Sequence, residues 1–344
     1  MVEIASKTIE PVRNTFQHLM DRFGDKPATR YQEGTYNIQA MENFHYRPLW
    51  DPKHEIYDPD FSAVKLTDPY NYADPRQYYY ATYVENRARH HESFGQDLKY
   101  IEERNLFARL PQNWQGLVTR LVLPLRHYES GGQLVFINAN RLAWGTSISQ
   151  PCGLASMDRV GNAQSLSMVG LAMGGGAPDK LAEAKQCWQE QPSLQEVRRL
   201  VEEALIEEDW VSGVLAYELT DAQLYPLLFQ HLDDRALFRG AMAYSLMAQH
   251  FSRWHIDNQK WITALLKAWV ADPQYGEENR KALGAMVDRW YPQSQEAVRL
   301  LAKDIEHNFG STSIVSAATR YASELATTLE KIGIPLTAPG GVRS

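Results

Sequence analysis

The chain has 344 residues, 44% of them apolar and 22% charged, with a formal net charge of −7. This composition supports a large buried core and excludes disorder for the chain as a whole, and a negative balance without long Lys/Arg runs argues against a nucleic-acid or anionic-membrane surface. No stretch approaches the roughly 20 consecutive apolar residues of a membrane helix, and the opening residues lack the apolar block of a secretory signal. Cys152 and Cys187 stand far apart in no CxxC pair, which rules against a disulfide scaffold or zinc ribbon and leads us to expect a reducing cytoplasm.

Residues 1–75 hold seven of the 17 prolines, and proline prevents long helices there. The aromatic residues of the same stretch are too many for a disordered linker. An extended arm over 1–75 is therefore predicted, then a helical domain over 76–335 and a short tail over 336–344. Asp74-Pro75 opens a predicted helix that runs to about Asn105. Another follows Pro111 through TRLVLPLRHYE, and LVFINA at 134–139 is ambiguous between helix and strand. A third covers roughly 154–172 and ends at MGGGAP.

Ser193 and Glu196 have capping-box spacing, and the helix they open carries an apolar face to Leu215. Pro226 breaks or kinks its end. A long pattern spans about Asp234 to Ala271, stopped by Asp272-Pro273. The segment 277–305 is expected to break near Pro292. The last helix, from Ile314 to Ile332, is closed by Gly333. Helices of this length joined by short loops predict an all-α, ferritin-like long-helix bundle.

Gly174-Gly175-Gly176 lacks the Lys and Ser/Thr of a phosphate loop and reads as a turn between helices. His90 and His91, beside Arg87, Arg89 and Glu92, read as a solvated helix face. The pattern best suited to a bundle is a di-iron site, which uses one Glu from each of two helices and a Glu-x-x-His from each of two others. Of the ten histidines only His45 has a Glu three residues before it, Glu42, and that pair falls in the arm. Asp51 with His54 and Asp304 with His307 have the spacing with the shorter acid. In Pro124-Leu125-Arg126-His127, proline occupies the carboxylate position. It cannot bind metal, and it costs about 3 kcal/mol inside a helix, so a kink or local rearrangement is expected, with His127 as a core histidine bonded to a carboxylate.

The stretches RFGDKPATRYQEGTYNIQAMENFHYRPLWDP, DPRQYYYATYVENRA and LVLPLRHYE closely resemble the β subunit of bacterial multicomponent phenol hydroxylases. The likeness continues more loosely through EEDWV, LYPLL and the tryptophan-rich segment near 254–269. It implies a ferritin-like fold in a chain without a catalytic or metal site of its own. It also implies an (αβγ)2 complex in which an α subunit holds the di-iron centre and converts phenol to catechol. A reductase with FAD and [2Fe-2S] supplies electrons from NADH, and a small regulatory protein tunes turnover. Carried onto this chain, the ligand positions of the α subunit fall at Pro124, His127, near Thr220, and near Trp254 and Asp257.

The arm residues Phe44, Tyr46, Arg47 and Trp50 are the expected anchors on the partner, since aromatics and Arg dominate such contacts. Residues 130–190 depart from the family pattern, so the substrate stays open between phenol, an alkylphenol and another aromatic. A β subunit of a related toluene or alkene monooxygenase, a self-contained di-iron enzyme with unorthodox ligands, and an unrelated helical scaffold are the rival readings.

Overall fold

The computed structural model describes residues 16–24, 26–39, 51, 53–55, 58–310 and 313–336. Glu42, His45, the arm positions Phe44, Tyr46, Arg47 and Trp50, and the tail beyond residue 336 lie outside the described residues. The arm region contains short helices α1 (Gln17–Phe23) and α2 (Arg30–Glu33). The bundle follows as α3 (Tyr80–Glu103), α4 (Gln112–Leu117), α5 (Leu125–Leu142), α6 (Thr146–Met173), α7 (Asp179–Glu190), α8 (Gln195–Leu205), α9 (Trp210–Pro226), α10 (Leu232–Phe238), α11 (Met242–Val270), α12 (Gly276–Phe309) and α13 (Ile314–Ile332). Residues 134–139, ambiguous in sequence, lie inside α5.

Two of the three prolines expected to disturb helices, Pro124 and Pro226, do so. Each is adjacent to a π-helical turn, Val118–Val122 ahead of Pro124 and Leu227–His231 after Pro226. The wider turn accommodates a missing N–H that a regular α-helix would leave as a gap. Pro292 departs from expectation, because α12 runs through it unbroken. Packing on both sides holds the helix there: Trp290 donates to Ser212 Oγ (2.8 Å) and Tyr291 to the carbonyl of Ala322 (2.8 Å).

Three further expectations need correction. The apolar run 194–215 is two helices, because Asp209 caps the start of α9 by accepting the N–H groups of Val211 and Ser212. The 234–271 pattern divides at Gly240, whose φ of 72° only glycine adopts readily. Ser193 forms no capping box; it sits in a short 3-10 turn and donates to Asp304 on α12 (2.6 Å). Gly333, with φ of 94°, closes α13 as predicted, and the Ile334 N–H returns to the Leu329 carbonyl.

α9 is the axis of the bundle. Sixteen of its 17 residues are buried, including Glu218, Thr220, Asp221 and Gln223. A helix buried on every face cannot discard its polar groups to solvent, so they must find partners within the core.

The described part of the arm is packed onto the bundle. Leu19, Tyr31 and Tyr36 form a small core of their own, while Val64, Leu66 and Tyr72 join the main one. Residues 62–67 are held by three side chains at helix starts. Asp209 accepts from Ser62 Oγ and the Ala63 N–H, Asn279 exchanges bonds with the Lys65 backbone, and Asp272 accepts the N–H and hydroxyl of Thr67 at 2.7 Å each.

Asp272 also accepts the N–H groups of Gln274 and Tyr275. Burial alone would raise its carboxyl, but these hydrogen bonds hold it below the ordinary range. Its contribution is therefore complete above about pH 4 and lost as pH falls through the lowered folded value. Asp272→Ala is expected to cost about 1–3 kcal/mol in urea unfolding at pH 7, because it leaves part-buried N–H groups without their charged acceptor. The difference from the parent protein should shrink towards pH 3, and an unchanged midpoint at pH 7 would contradict this account of the arm.

Candidate functional site

Four helices, α5, α6, α9 and α11, meet around one buried polar centre. Its middle is the guanidinium of Arg159 on α6, which has no solvent exposure. Nη1 lies 3.3 Å from both carboxylate oxygens of Glu129 on α5 and 3.3 Å from Asp221 Oδ1 on α9, and Nη2 donates to Asp221 Oδ2. Aromatic faces enclose the cation: the rings of Trp254, Tyr217 and Phe136 lie 5.0, 5.1 and 5.2 Å from its central carbon.

The surrounding side chains bond the two carboxylates, while the Nε of Arg159 is buried without a partner. Tyr225 donates to Glu129 at 2.5 Å, Asn162 donates to it at 3.3 Å, and Tyr128 donates to Asp221 at 2.7 Å. One helical turn before Asp221, Glu218 accepts Asn258 and Gln259 at 2.9 Å each. The stem of Arg159 fits because Gly132 has no side chain; a Cβ there would stand 2.9 Å from Tyr217 and 3.2 Å from Arg159 Cδ.

Burial disfavours charge throughout this centre. For Arg159 the carboxylates of Asp221 and Glu129 outweigh that penalty, and its pKa rises. Burial drives the Glu129 carboxyl upward despite the opposing pull of Arg159. Burial and the neighbouring Asp221 push Glu218 up to about 8, with Arg159 and the two amides opposing. Burial lowers His255, stacked on Tyr225, to about 4, so it stays neutral.

This donor set does not fit a di-iron centre. A fixed cation occupies the space between the two closest carboxylates, and it would repel a metal ion. Among the described residues no group of three or more His, Cys, Asp or Glu side chains is placed to hold one.

The five positions suggested by the resemblance are not brought together. Only Trp254 borders Arg159. Thr220 is buried and donates to the carbonyl of Ala216. Pro124 sits before α5, and His127 stacks on Trp188 at 5.9 Å with its Nε2 lacking a partner, so the expected carboxylate bond is absent. Burial lowers His127 to about 4. Asp51 and His54 pair with each other at 2.7 Å. The residues that do converge include Arg159 and Asn162, which have the i, i+3 spacing of a ligand pair with the wrong chemistry; a search for Glu-x-x-His passes over them.

A second charged layer lies outside the first. Asp158, the neighbour of Arg159 on α6, receives Arg87 of α3 through two 2.7 Å bonds and Tyr83 at 2.8 Å. Asp257 pairs with Arg87 at 3.0 Å and accepts Tyr78 at 3.1 Å, and Arg76 binds Asp74. Arg87 is thus buried, which corrects its reading as part of a solvated face. His90 is half-buried and stacks on His250 at 4.1 Å, while His91 stays at the surface.

Arg159→Ala would leave Glu129 and Asp221 buried without their cation, and a loss of about 3–5 kcal/mol is expected in denaturant unfolding. Adding Glu129→Gln and Asp221→Asn should recover much of it; equal losses in the single and triple variants would sink the ion-pair account. Glu218, raised in the fold, costs stability progressively as pH climbs from the ordinary carboxylate value towards 8. Glu218→Gln should remove that decline, so its stability relative to the parent protein rises between about pH 5 and pH 8. A constant gap over that window would refute it.

Residues 50–273 match the family model described as Methane/Phenol/Alkene Hydroxylase. The chain is 36% identical over 334 residues to the phenol 2-monooxygenase oxygenase component DmpL of Pseudomonas sp. (strain CF600), covering 97% of this chain and 98% of that one. The crystal structure of xenon-pressurised phenol hydroxylase from Pseudomonas sp. OX1 superposes with a TM-score of 0.90 at 36% identity, covering 98% of this chain and 100% of that one. A more distant relative is the propane 2-monooxygenase hydroxylase component small subunit of Mycolicibacterium goodii, 23% identical over 290 residues, 80% of this chain and 77% of that one. The helical architecture is that of the phenol hydroxylase structure, and the chain belongs to the methane/phenol/alkene hydroxylase family, among the oxygenase components of phenol monooxygenases.

Proposed function

We propose that this chain is the β subunit, a structural and non-catalytic one, of the oxygenase component of a multicomponent phenol monooxygenase. The observation that carries the reading is Arg159 seated between Glu129 and Asp221 where the four helices meet. A centre filled by a guanidinium and closed by tyrosines has no room or charge for oxygen-activating metals. In this reading the di-iron centre belongs to an α subunit, a small γ subunit completes an (αβγ)2 complex, and a reductase with FAD and [2Fe-2S] delivers electrons from NADH, with a regulatory protein tuning turnover. The complex would hydroxylate phenol to catechol. The name of the propane relative, a small subunit of a hydroxylase component, supports a supporting role for chains of this kind.

The arm anchors Phe44, Tyr46, Arg47 and Trp50 remain part of the proposal, as does a cytoplasmic location; among the described residues no helix is long and apolar enough to cross a membrane. Because residues 62–67 are clamped to the bundle, deleting the whole arm would disturb the core, and point substitutions test the contact more cleanly. The combined variant F44A/Y46A/R47A/W50A, co-expressed with an adjacent reading frame that encodes two Glu-x-x-His motifs, is expected to lose at least about tenfold of its copurifying partner. Its helicity should be unchanged. The unmodified chain purified alone should contain far less than one iron per chain; two irons per chain would overturn the assignment.

A further inference from the structure

Two stacked histidines sit where α3 meets the core. His250 of α11 is 4% exposed, and its ring lies on that of His90 of α3 with 4.1 Å between centroids. Phe94 of α3 covers the same imidazole at 4.4 Å, and Phe251 stands edge-on to it at 5.1 Å. His91, at the surface, flanks the stack 5.5 Å from His250. Its imidazole lies against α6 at Gly161, where a Cβ would come within 2.9 Å of Cε1 and Nε2. Helices α3, α6 and α11 are thus joined through imidazole rings.

The hydrogen bonds of His250 suit a neutral ring. Its Nε2 lies 3.3 Å from Ser165 Oγ on α6, while its Nδ1 is buried with no partner. A neutral imidazole can carry its proton on Nε2 and leave Nδ1 a bare acceptor, whereas a protonated one puts an N–H there that nothing accepts. His90 donates from Nε2 to the backbone carbonyl of His250 at 3.1 Å, which fixes the rings face to face. Two cationic rings held so close would repel each other.

The charges around the stack sharpen this conflict. Arg87 stands one turn before His90 on α3, and Arg253 one turn after His250 on α11; each disfavours a further positive charge. Asp97 of α3 faces Arg253. From α6 the carboxylate of Asp158 faces the histidines of α3, but its oxygens already receive Arg87 and Tyr83. Burial first, then these cations and the neighbouring rings, hold His90 down to about 4 and His250 lower still.

We propose that the His90–His250 stack is an acid-sensitive latch, which holds α3 on α6 and α11 while both rings are uncharged and releases it when they take up protons. The inference stands apart from the subunit reading. Released, the two imidazoles face water and titrate at about 6.5. The grip of the closed latch is therefore complete above that pH and is lost as pH falls towards the lowered value of His90. Release also takes with it the outer charged layer that α3 carries through Arg87.

The test is hydrogen exchange of the α3 backbone amides in the full chain, corrected for the intrinsic pH dependence of exchange. With two protons bound on release, the opening constant of α3 should rise about fiftyfold between pH 6 and pH 5, while the amides of α9 stay protected. His90→Gln combined with His250→Phe removes both titrations and keeps a donor and an aromatic ring in place. In that variant the rise should fall below about threefold. As a measurement that needs no variant, the imidazole NMR signals of His90 and His250 in the folded chain should stay those of neutral rings down to pH 5.

Titration of both rings near pH 6.5 in the folded chain would overturn the latch. So would an undiminished rise in H90Q/H250F, or an equal acceleration of the α9 amides, which would assign the acid response to unfolding of the whole bundle.

Discussion

A full positive charge with no access to water is the constraint around which this protein is arranged. Placing Arg159 in the core carries a desolvation cost that close counter-charges must offset, the more so because its Nε is left without a partner. Glu129 and Asp221 provide the charge. Tyr225, Asn162 and Tyr128 then hold the two carboxylates, since each carboxylate oxygen left bare would itself be costly. The glycine at 132 and the ring of aromatic faces follow from the same need, because the guanidinium must lie flat among groups that tolerate a cation. Such a centre is better understood as fixing one arrangement of four helices than as a large source of net stability.

The adjacent residue on α6 extends the constraint outward. Asp158 faces α3 while Arg159 faces the bundle axis, so consecutive side chains tie one helix to two layers. Through Arg87 the outer layer reaches Asp257 on α11, and through Asp257 and Arg76 it reaches the chain just before α3. The arm is then drawn along the bundle by acids and amides that already serve helix starts. Asp209 caps α9 and Asp272 precedes α12, so one carboxylate both ends a loop and holds residues 62–67. The route of the arm is thus set by the positions of helix termini.

These features suit a supporting role in a larger assembly. At its centre the core holds a guanidinium between two carboxylates.

The helical class, the disturbance at Pro124 and Pro226, the Gly333 cap and the family were legible in the residues, because local periodicity, proline sterics and short motifs act over a few positions. Helix breaks at Asp209 and Gly240, and the continuity of α12 through Pro292, were not legible, because contacts distant in sequence outweigh local preference there. The central site was missed for a related reason. A search for metal ligands recognises carboxylates and imidazoles at fixed spacing, whereas Glu129, Arg159 and Asp221 lie on three helices and become one unit only when packed. Sequence alone determined that this is a helical chain of the hydroxylase family lacking the usual ligand motifs in its bundle. Tertiary structure decided what stands in their place, since which buried charges meet depends on how the helices are brought together.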